Sequence, residues 1–190
     1  DDGDEHIRFG LLSRAALESC QRMGWSPDVV HCHDWHTALV PLYLRTLYSW
    51  DGLFARTATV LTLHNVGYQG VFGTDAVDAL GLAGYSSWFD RRAFDEGRIN
   101  FLETGILHAD ALTTVSPTHA YELRTPAGGF GLHDSFIALG DRLVGILNGI
   151  DLEIWDPESD PILPARYGVE DLAGKRECKR DLQRRVGLPE

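Results

Sequence analysis

Cysteine is scarce in this chain of 190 residues, basic charge is outnumbered by acidic, and no long apolar run interrupts it. Each shortage closes off a class of protein. Cys20, Cys32 and Cys178 are odd in number and form no C-x-x-C pair, which argues against a disulfide framework and suits reduced thiols in a cytosolic protein. No stretch reaches the roughly 18 apolar residues of a membrane-spanning helix, and no basic-then-apolar signal segment opens the chain. Lys and Arg number 17 against 28 Asp and Glu, for a formal net charge of −11. The one basic run, 175–185, alternates with acids. Nucleic acid and anionic membrane are therefore not expected partners, since phosphate binding needs clustered cations. A neutral partner such as a sugar polymer fits that balance. Methionine occurs once, at Met23, and the chain opens Asp1-Asp2-Gly3, so the expectation is an internal fragment.

What is present is enough for one globular domain: 44% of residues are hydrophobic and 24% charged. Segments of two periods alternate. Residues 8–23 carry apolar side chains at helical spacing, and Gly24 is a plausible stop. Residues 27–33 (PDVVHCH) are a short apolar run behind a proline and predict a buried strand. Residues 36–48 return to helical spacing. Residues 58–64 (ATVLTLH) are short and β-branched, a second strand. Residues 67–84 are rich in glycine and turn formers and predict a loop with short helical pieces. Residues 98–108 predict a helix, 111–115 (ALTTV) a third strand, 142–147 (RLVGIL) a fourth, and 171–186 a charged amphipathic helix closed by Gly187. Ser116 before Pro117 is a helix start, with a hydroxyl cap ahead of proline at the first helical position. This alternation predicts an α/β fold, a Rossmann-like, mostly parallel sheet with helices on both faces. Ligands collect at the carboxyl ends of strands in such folds, and polar residues sit at each: His33-Asp34, His64-Asn65, Ser116 and Asn148.

Several clusters invite chemistry. The segment His31-Cys32-His33-Asp34-Trp35-His36 holds metal-ligand types, but its spacing departs from H-x-H-x-D-H and no second ligand cluster follows downstream. Its other reading places His31 and Cys32 in the strand, with His33 to His36 beginning the next helix and Asp34 accepting from its amides. His64-Asn65 runs into Val66-Gly67-Tyr68-Gln69-Gly70, a loop able to approach a ligand closely. On these residues alone a structural histidine and a sugar-facing or proton-transferring one stay open alternatives. Gly128-Gly129-Phe130-Gly131 lacks the G-K-[ST] ending of a phosphate loop and reads as a mobile or tightly turned loop. Ser116 is no nucleophile elbow, because G-x-S-x-G is absent. Trp35, Tyr68, Trp88 and Trp155 offer sugar-stacking faces, with core packing the default role.

Taken in order, these segments resemble the bacterial glycogen synthases and plant starch synthases. Residues 27–36 (PDVVHCHDWH) are similar to that family's PDVVHxHDWH, and 61–70 (LTLHNVGYQG) to its T-x-H-N-x-x-Y-Q-G. Residues 97–110 (GRINFLETGILHAD), 113–121 (TTVSPTHAY), 145–157 (GILNGIDLEIWDP) and the closing K-x-x-x-K-R-x-L-Q run continue the match across nearly the whole chain. The resemblance implies part of a two-domain GT-B glycosyltransferase. Such an enzyme moves glucose from ADP-glucose, or in some members UDP-glucose, to the non-reducing end of an α-1,4-glucan with retention, and needs no metal or other cofactor. It implies that residues 1–187 belong to the N-terminal, glucan-side domain and that 188–190 begin the crossover to a nucleotide-sugar-binding domain.

By the same resemblance, His64 is the catalytic contribution: its ring would hold a sugar hydroxyl and its backbone carbonyl would stabilise an oxocarbenium-like transition state. Asp34, Asn65 and Asn148 would line the cleft, with Trp35 beside Asp34. The family's location would be the bacterial cytoplasm, or the plastid in a plant. Its K-x-G-G-L-G/A-D-V segment is absent from the chain, and Glu103 stands where many members have Lys. Two readings compete with transfer: a metal-dependent hydrolase using His31, His33, Asp34 and His36, and a non-catalytic glucan-binding domain. No motif specifies an oligomeric state.

Overall fold

Apolar and β-branched runs flanked by turn residues become short neighbouring strands, and the segments between them fold back as helices. The computed structural model describes residues 3–190. They divide into two units, Asp1–Leu147 and Asn148–Glu190. The first begins with helix α1 (Glu5–Met23), which stops where Gly24 takes up left-handed φ 62° and its N–H reaches back to the carbonyls of Cys20 and Gln21. Strand β1 (Val29–His33) follows. The single helix expected over 36–48 is two, α2 (Asp34–Thr37) and α3 (Val40–Arg45). Pro41 has no N–H to return to the carbonyl of Thr37, so the ladder breaks there although the backbone between stays helical.

Strand β2 (Ala58–Leu63) is the one the sequence predicts. Beyond it, the loop-rich stretch hides a short strand, β3 (Val71–Gly73), before α4 (Ala76–Ala79) and α5 (Arg91–Asp95). Its partner is β4 (Arg98–Asn100), antiparallel to it, so the helix expected from Arg98 begins only at Phe101 as α6 (Phe101–His108). The switch has a local cause. The Asn100 side chain accepts the Glu103 N–H at 3.0 Å and caps α6, an N-x-x-E pattern that marks the start. Strand β5 (Ala111–Thr114), helices α7 (Pro117–Glu122), α8 (Pro126–Gly129) and α9 (His133–Leu139), and strand β6 (Leu143–Gly145) complete the unit. Ser116 caps α7 as expected, accepting from the His119 N–H at 2.9 Å.

Strands β1, β2, β5 and β6 form one parallel sheet in that order, so the α/β class and the parallel sheet stand as the sequence predicts. The order advances steadily in one direction, and right-handed crossovers then place every connecting helix on the same side. Burial agrees. Cys32, Leu61, Leu112 and Leu143 lie side by side in register and are all buried. The opposite face carries Val29 and Val144, 53% and 49% exposed, together with exposed His31 and His33 and half-buried Thr62 and Thr113. Among the described residues of this unit, helices therefore pack on one face and a polar strip looks out from the other, which corrects the expectation of helices on both faces: a strand order that never reverses gives its crossovers one side only. The second unit holds α10 (Ala173–Val186), ended by Gly187 at φ 70°; Asp171 accepts from the Ala173 N–H at its start, 2.8 Å away.

Close packing on the covered face depends on a missing side chain. A Cβ on Gly105 would lie 2.8 Å from both Ala38 Cβ and Leu61 Cδ2 and 2.9 Å from the Ala38 carbonyl, so α6 meets α2 and β2 only as glycine. At the end of α6, half-buried His108 donates from Nε2 to the Trp88 carbonyl at 2.7 Å. Burial, with a smaller contribution from Arg45, holds its pKa below the ordinary imidazole value despite that bond.

Gly105→Val should destabilise the chain by about 1–3 kcal/mol through overpacking, measured by urea unfolding. His108 binds a proton less readily folded than unfolded, so its contribution is complete above the unfolded imidazole pKa of about 6.5 and is lost as pH falls below it. The acid slope of stability should be shallower in His108→Gln, whose amide donates to Trp88 without titrating; an unchanged slope would remove His108 from the account.

Candidate functional site

Parallel register sets His33 beside Thr62, and so brings the loops that leave β1 and β2 to the same edge of the sheet. Asp34, the first residue after β1, has φ 52°, a left-handed value uncommon for a residue with a Cβ. Its carboxylate explains why the backbone stays there: Oδ1 accepts from the His64 N–H at 2.7 Å and from the Asn65 N–H at 3.3 Å. Charge-assisted bonds of this kind are among the stronger ones available. Asn65 then folds back, its Oδ1 accepting from the Gly67 N–H at 2.9 Å, which closes a tight turn. Asp34, His64 and Asn65 are thus one hydrogen-bonded group.

The imidazoles form a second group on the uncovered face. His33 Nδ1 lies 3.1 Å from His64 Nε2, and the His31 ring sits 4.3 Å from that of His33. His31 Nε2 is 2.7 Å from Thr62 Oγ1, itself 2.6 Å from Thr113 Oγ1. Desolvation among these rings, followed by the neighbouring His31 and His64, lowers the His33 pKa, and Asp34 partly offsets that. The His36 ring goes elsewhere, stacked on Trp35 at 4.4 Å and edge-on to Phe9 at 4.7 Å. The four ligands of the metal-hydrolase alternative therefore diverge, and among the described residues no group of three or more His, Cys, Asp or Glu could hold a metal ion.

Trp35 is buried, edge-on to Phe9 at 4.7 Å, and packs directly beneath Gly70, where φ is 64° and a Cβ would collide with the indole. It holds the loop from below. Gln69 holds it from the side. Its Nε2 donates to the carbonyls of Val66 and Phe130 at 3.0 and 2.9 Å, and its Oε1 accepts from Asn100 Nδ2 at 2.7 Å. The carbonyls of Gln69 and Gly70 accept the first N–H groups of α6, from Leu102 and Phe101, both at 3.0 Å. Residues 128–131 are tightly turned: α8 ends in Phe130 at φ 47°, and the exposed Phe130 ring lies alongside Gly67. Tyr68, 72% exposed, leaves a second aromatic face in solvent on the same loop.

Two contributors escaped the sequence reading. Thr114 Oγ1 contacts both the Leu63 carbonyl at 2.8 Å and His119 Nδ1 at 2.5 Å. A hydroxyl has one proton, which goes to the carbonyl, so His119 Nδ1 donates to Thr114 and ties α7 to the end of β2. Gln69 is the other; its only sequence signal was its place between Tyr68 and Gly70. Glu103 is half-buried beside Asp90, and burial followed by that carboxylate raises its pKa. Asn148 is exposed and opens the second unit.

Comparison with known proteins bears on this arrangement. Residues 1–138 match the family model described as the starch synthase catalytic domain. A glycogen synthase of Anaeromyxobacter sp. is 49% identical over 190 residues, covering 100% of this chain and 40% of that protein. A glycogen synthase of Thermodesulfovibrio yellowstonii is 46% identical over 185 residues, covering 97% and 37%. The chain thus spans about two fifths of the length of these relatives. Among solved structures, the catalytic domain of starch synthase IV from Arabidopsis thaliana, bound to ADP and acarbose, superposes with a TM-score of 0.75 at 38% identity, over 100% of this chain and 39% of that one.

Asp34→Ala removes the acceptor of two amides and leaves alanine at a positive φ, so a loss of about 1–3 kcal/mol is expected. Asp34→Asn should recover most of it, because asparagine tolerates that backbone and keeps an acceptor oxygen. Equal losses for the two variants in urea unfolding would show that the clamp is not what holds the loop.

Proposed function

This chain belongs to the starch synthase catalytic-domain family, and from that membership we propose that it forms the glucan-side part of a retaining glucosyltransferase. The donor is ADP-glucose and the acceptor the non-reducing end of an α-1,4-glucan. The observation that carries this reading is the orientation of one peptide. The Asn65 N–H is directed at Asp34, and in a trans peptide the carbonyl points the opposite way. The His64 carbonyl therefore faces away from Asp34, and among the described residues no backbone or side-chain donor occupies it.

A fixed, unpaired carbonyl dipole at the carboxyl edge of a parallel sheet suits positive charge developing on a sugar ring as its bond to the leaving nucleotide breaks. Preorganised dipoles lower such barriers because they need not reorient during reaction. The exposure of the His64 ring beside that carbonyl supports its role in holding a sugar hydroxyl. Asp34 acts on the sugar indirectly, by fixing the peptide, and Asn65 shapes the turn that follows. Trp35 supports the loop from within the core, while Tyr68 and Phe130 offer the exposed aromatic faces against which a pyranose packs. Asn148 is proposed as a cleft residue on the resemblance alone.

Support for ADP-glucose comes from the ADP held by the starch synthase IV relative, and support for a glucan acceptor from the glycogen synthases that match nearly the whole chain. We propose further that transfer requires a nucleotide-sugar-binding domain outside residues 1–190, and a bacterial cytoplasmic or plastid setting.

In the protein that joins both domains, His64→Ala should lower glucosyl transfer from ADP-glucose by about 100-fold or more while keeping the fold. Because alanine retains the backbone carbonyl, that loss reports on the ring alone. Near-normal turnover would overturn the role given to the ring, and glucan elongation by residues 1–190 alone would overturn the two-domain requirement.

A further inference from the structure

A hydrogen bond between two imidazoles contains one proton. With His33 Nδ1 and His64 Nε2 separated by 3.1 Å, one nitrogen carries a hydrogen and the other presents its lone pair. Two hydrogens facing each other at that distance would break the contact. The state of one ring therefore dictates the state of the other. We infer that His33 is a positioning residue for His64: it occupies Nε2, fixes the tautomer of that ring, and leaves Nδ1 as the ring atom available to a ligand hydroxyl. The functional half of this inference rests on the sugar-facing reading of His64.

His33 is held from several sides. Its N–H donates to Thr37 Oγ1 at 2.7 Å, and that hydroxyl donates to the His33 carbonyl at 3.0 Å, so the start of α2 locks the backbone beneath the ring. On the far side the His31 ring lies against it, tilted by 33° and anchored through Thr62 to Thr113. The ionisable groups facing His33 are His31, His64 and Asp34. Partial desolvation and two neighbouring imidazoles disfavour a proton on His33, and only Asp34 opposes them. At neutral pH the ring is accordingly uncharged, the condition under which it can fix a tautomer rather than repel its partner. The strand register makes the contact possible: His33 and Thr62 are partners, and His64 lies two residues beyond Thr62, on the same side of the sheet.

Long-range nitrogen–proton correlation spectra of the 190-residue chain at neutral pH read the tautomer directly. The expected result for His64 is one pyrrole-type and one pyridine-type nitrogen. In His33→Ala both nitrogens should move to averaged positions, with the amide spectrum away from β1 and β2 unchanged. Asparagine places an amide atom near the position of imidazole Nδ1, whereas glutamine reaches the position of Nε2. His33→Asn should therefore restore a single tautomer, and His33→Gln should not. Unaltered His64 nitrogens in His33→Ala, or equal rescue by Asn and Gln, would overturn the inference. In the two-domain protein, His33→Ala should lower kcat with little change in acceptor KM, and His33→Asn should recover it. If the spectra behave as expected but transfer is unaffected, tautomer control stands and the sugar-facing reading of His64 falls, so the two failures are distinguishable.

Discussion

The carboxylate of Asp34, set at the start of α2 directly after one strand and bonded to two backbone amides of the loop after the next, joins two neighbouring strand ends into a single surface. Parallel strands end at the same level, but nothing in a parallel ladder dictates how the chains beyond them behave. Here a residue in left-handed conformation spends roughly 1–3 kcal/mol of backbone strain to place an anion where two N–H groups converge. The charge-assisted bonds offset that cost. The arrangement needs the β1–β2 register as it stands, since a slip of one residue would move Asp34 off these amides and send His33 to the covered face.

From that clamp the rest of the edge is built outward. The peptide after His64 is oriented by it; Asn65 turns back toward Gly67, Gln69 engages Val66, Asn100 and Phe130, and Gly70 settles on Trp35. The result is a loop anchored to the protein at Asp34, Trp35, Asn100 and Phe130, with the His64 carbonyl one of the groups it leaves without a donor among the described residues.

Much of this was legible in the residues, and the parts that were not have definite reasons. Strands β1, β2 and β5 showed themselves because short β-branched runs behind turn residues have few alternatives. The β3–β4 pair did not, because each strand is three residues long and the partners are separated by α4 and α5, so neither alternation nor a hairpin turn announces them. The break between α2 and α3 was available in Pro41. The left-handed backbone of Asp34 was not, since the usual sign of positive φ is glycine. His64 and Asp34 were singled out by resemblance and by their places at strand ends. That Asp34 reaches the amides of His64 while His33 reaches its ring required the register, which no local pattern encodes. The outward-facing strip of His31, His33, Thr62 and Thr113 follows from a strand order that alternation alone leaves undetermined.

Gln69 has a mechanical consequence. One side-chain amide joins three segments far apart in sequence: the turn after His64, the cap of α6 at Asn100, and the tip of the glycine-rich loop at Phe130. These pieces are fastened at a common rivet. A displacement of Phe130, whose exposed ring is the outermost of the three, strains the Gln69 amide and reaches the turn beside His64 without any rearrangement of the sheet. The glycine-rich loop is in that sense a lever whose fulcrum is a single uncharged side chain.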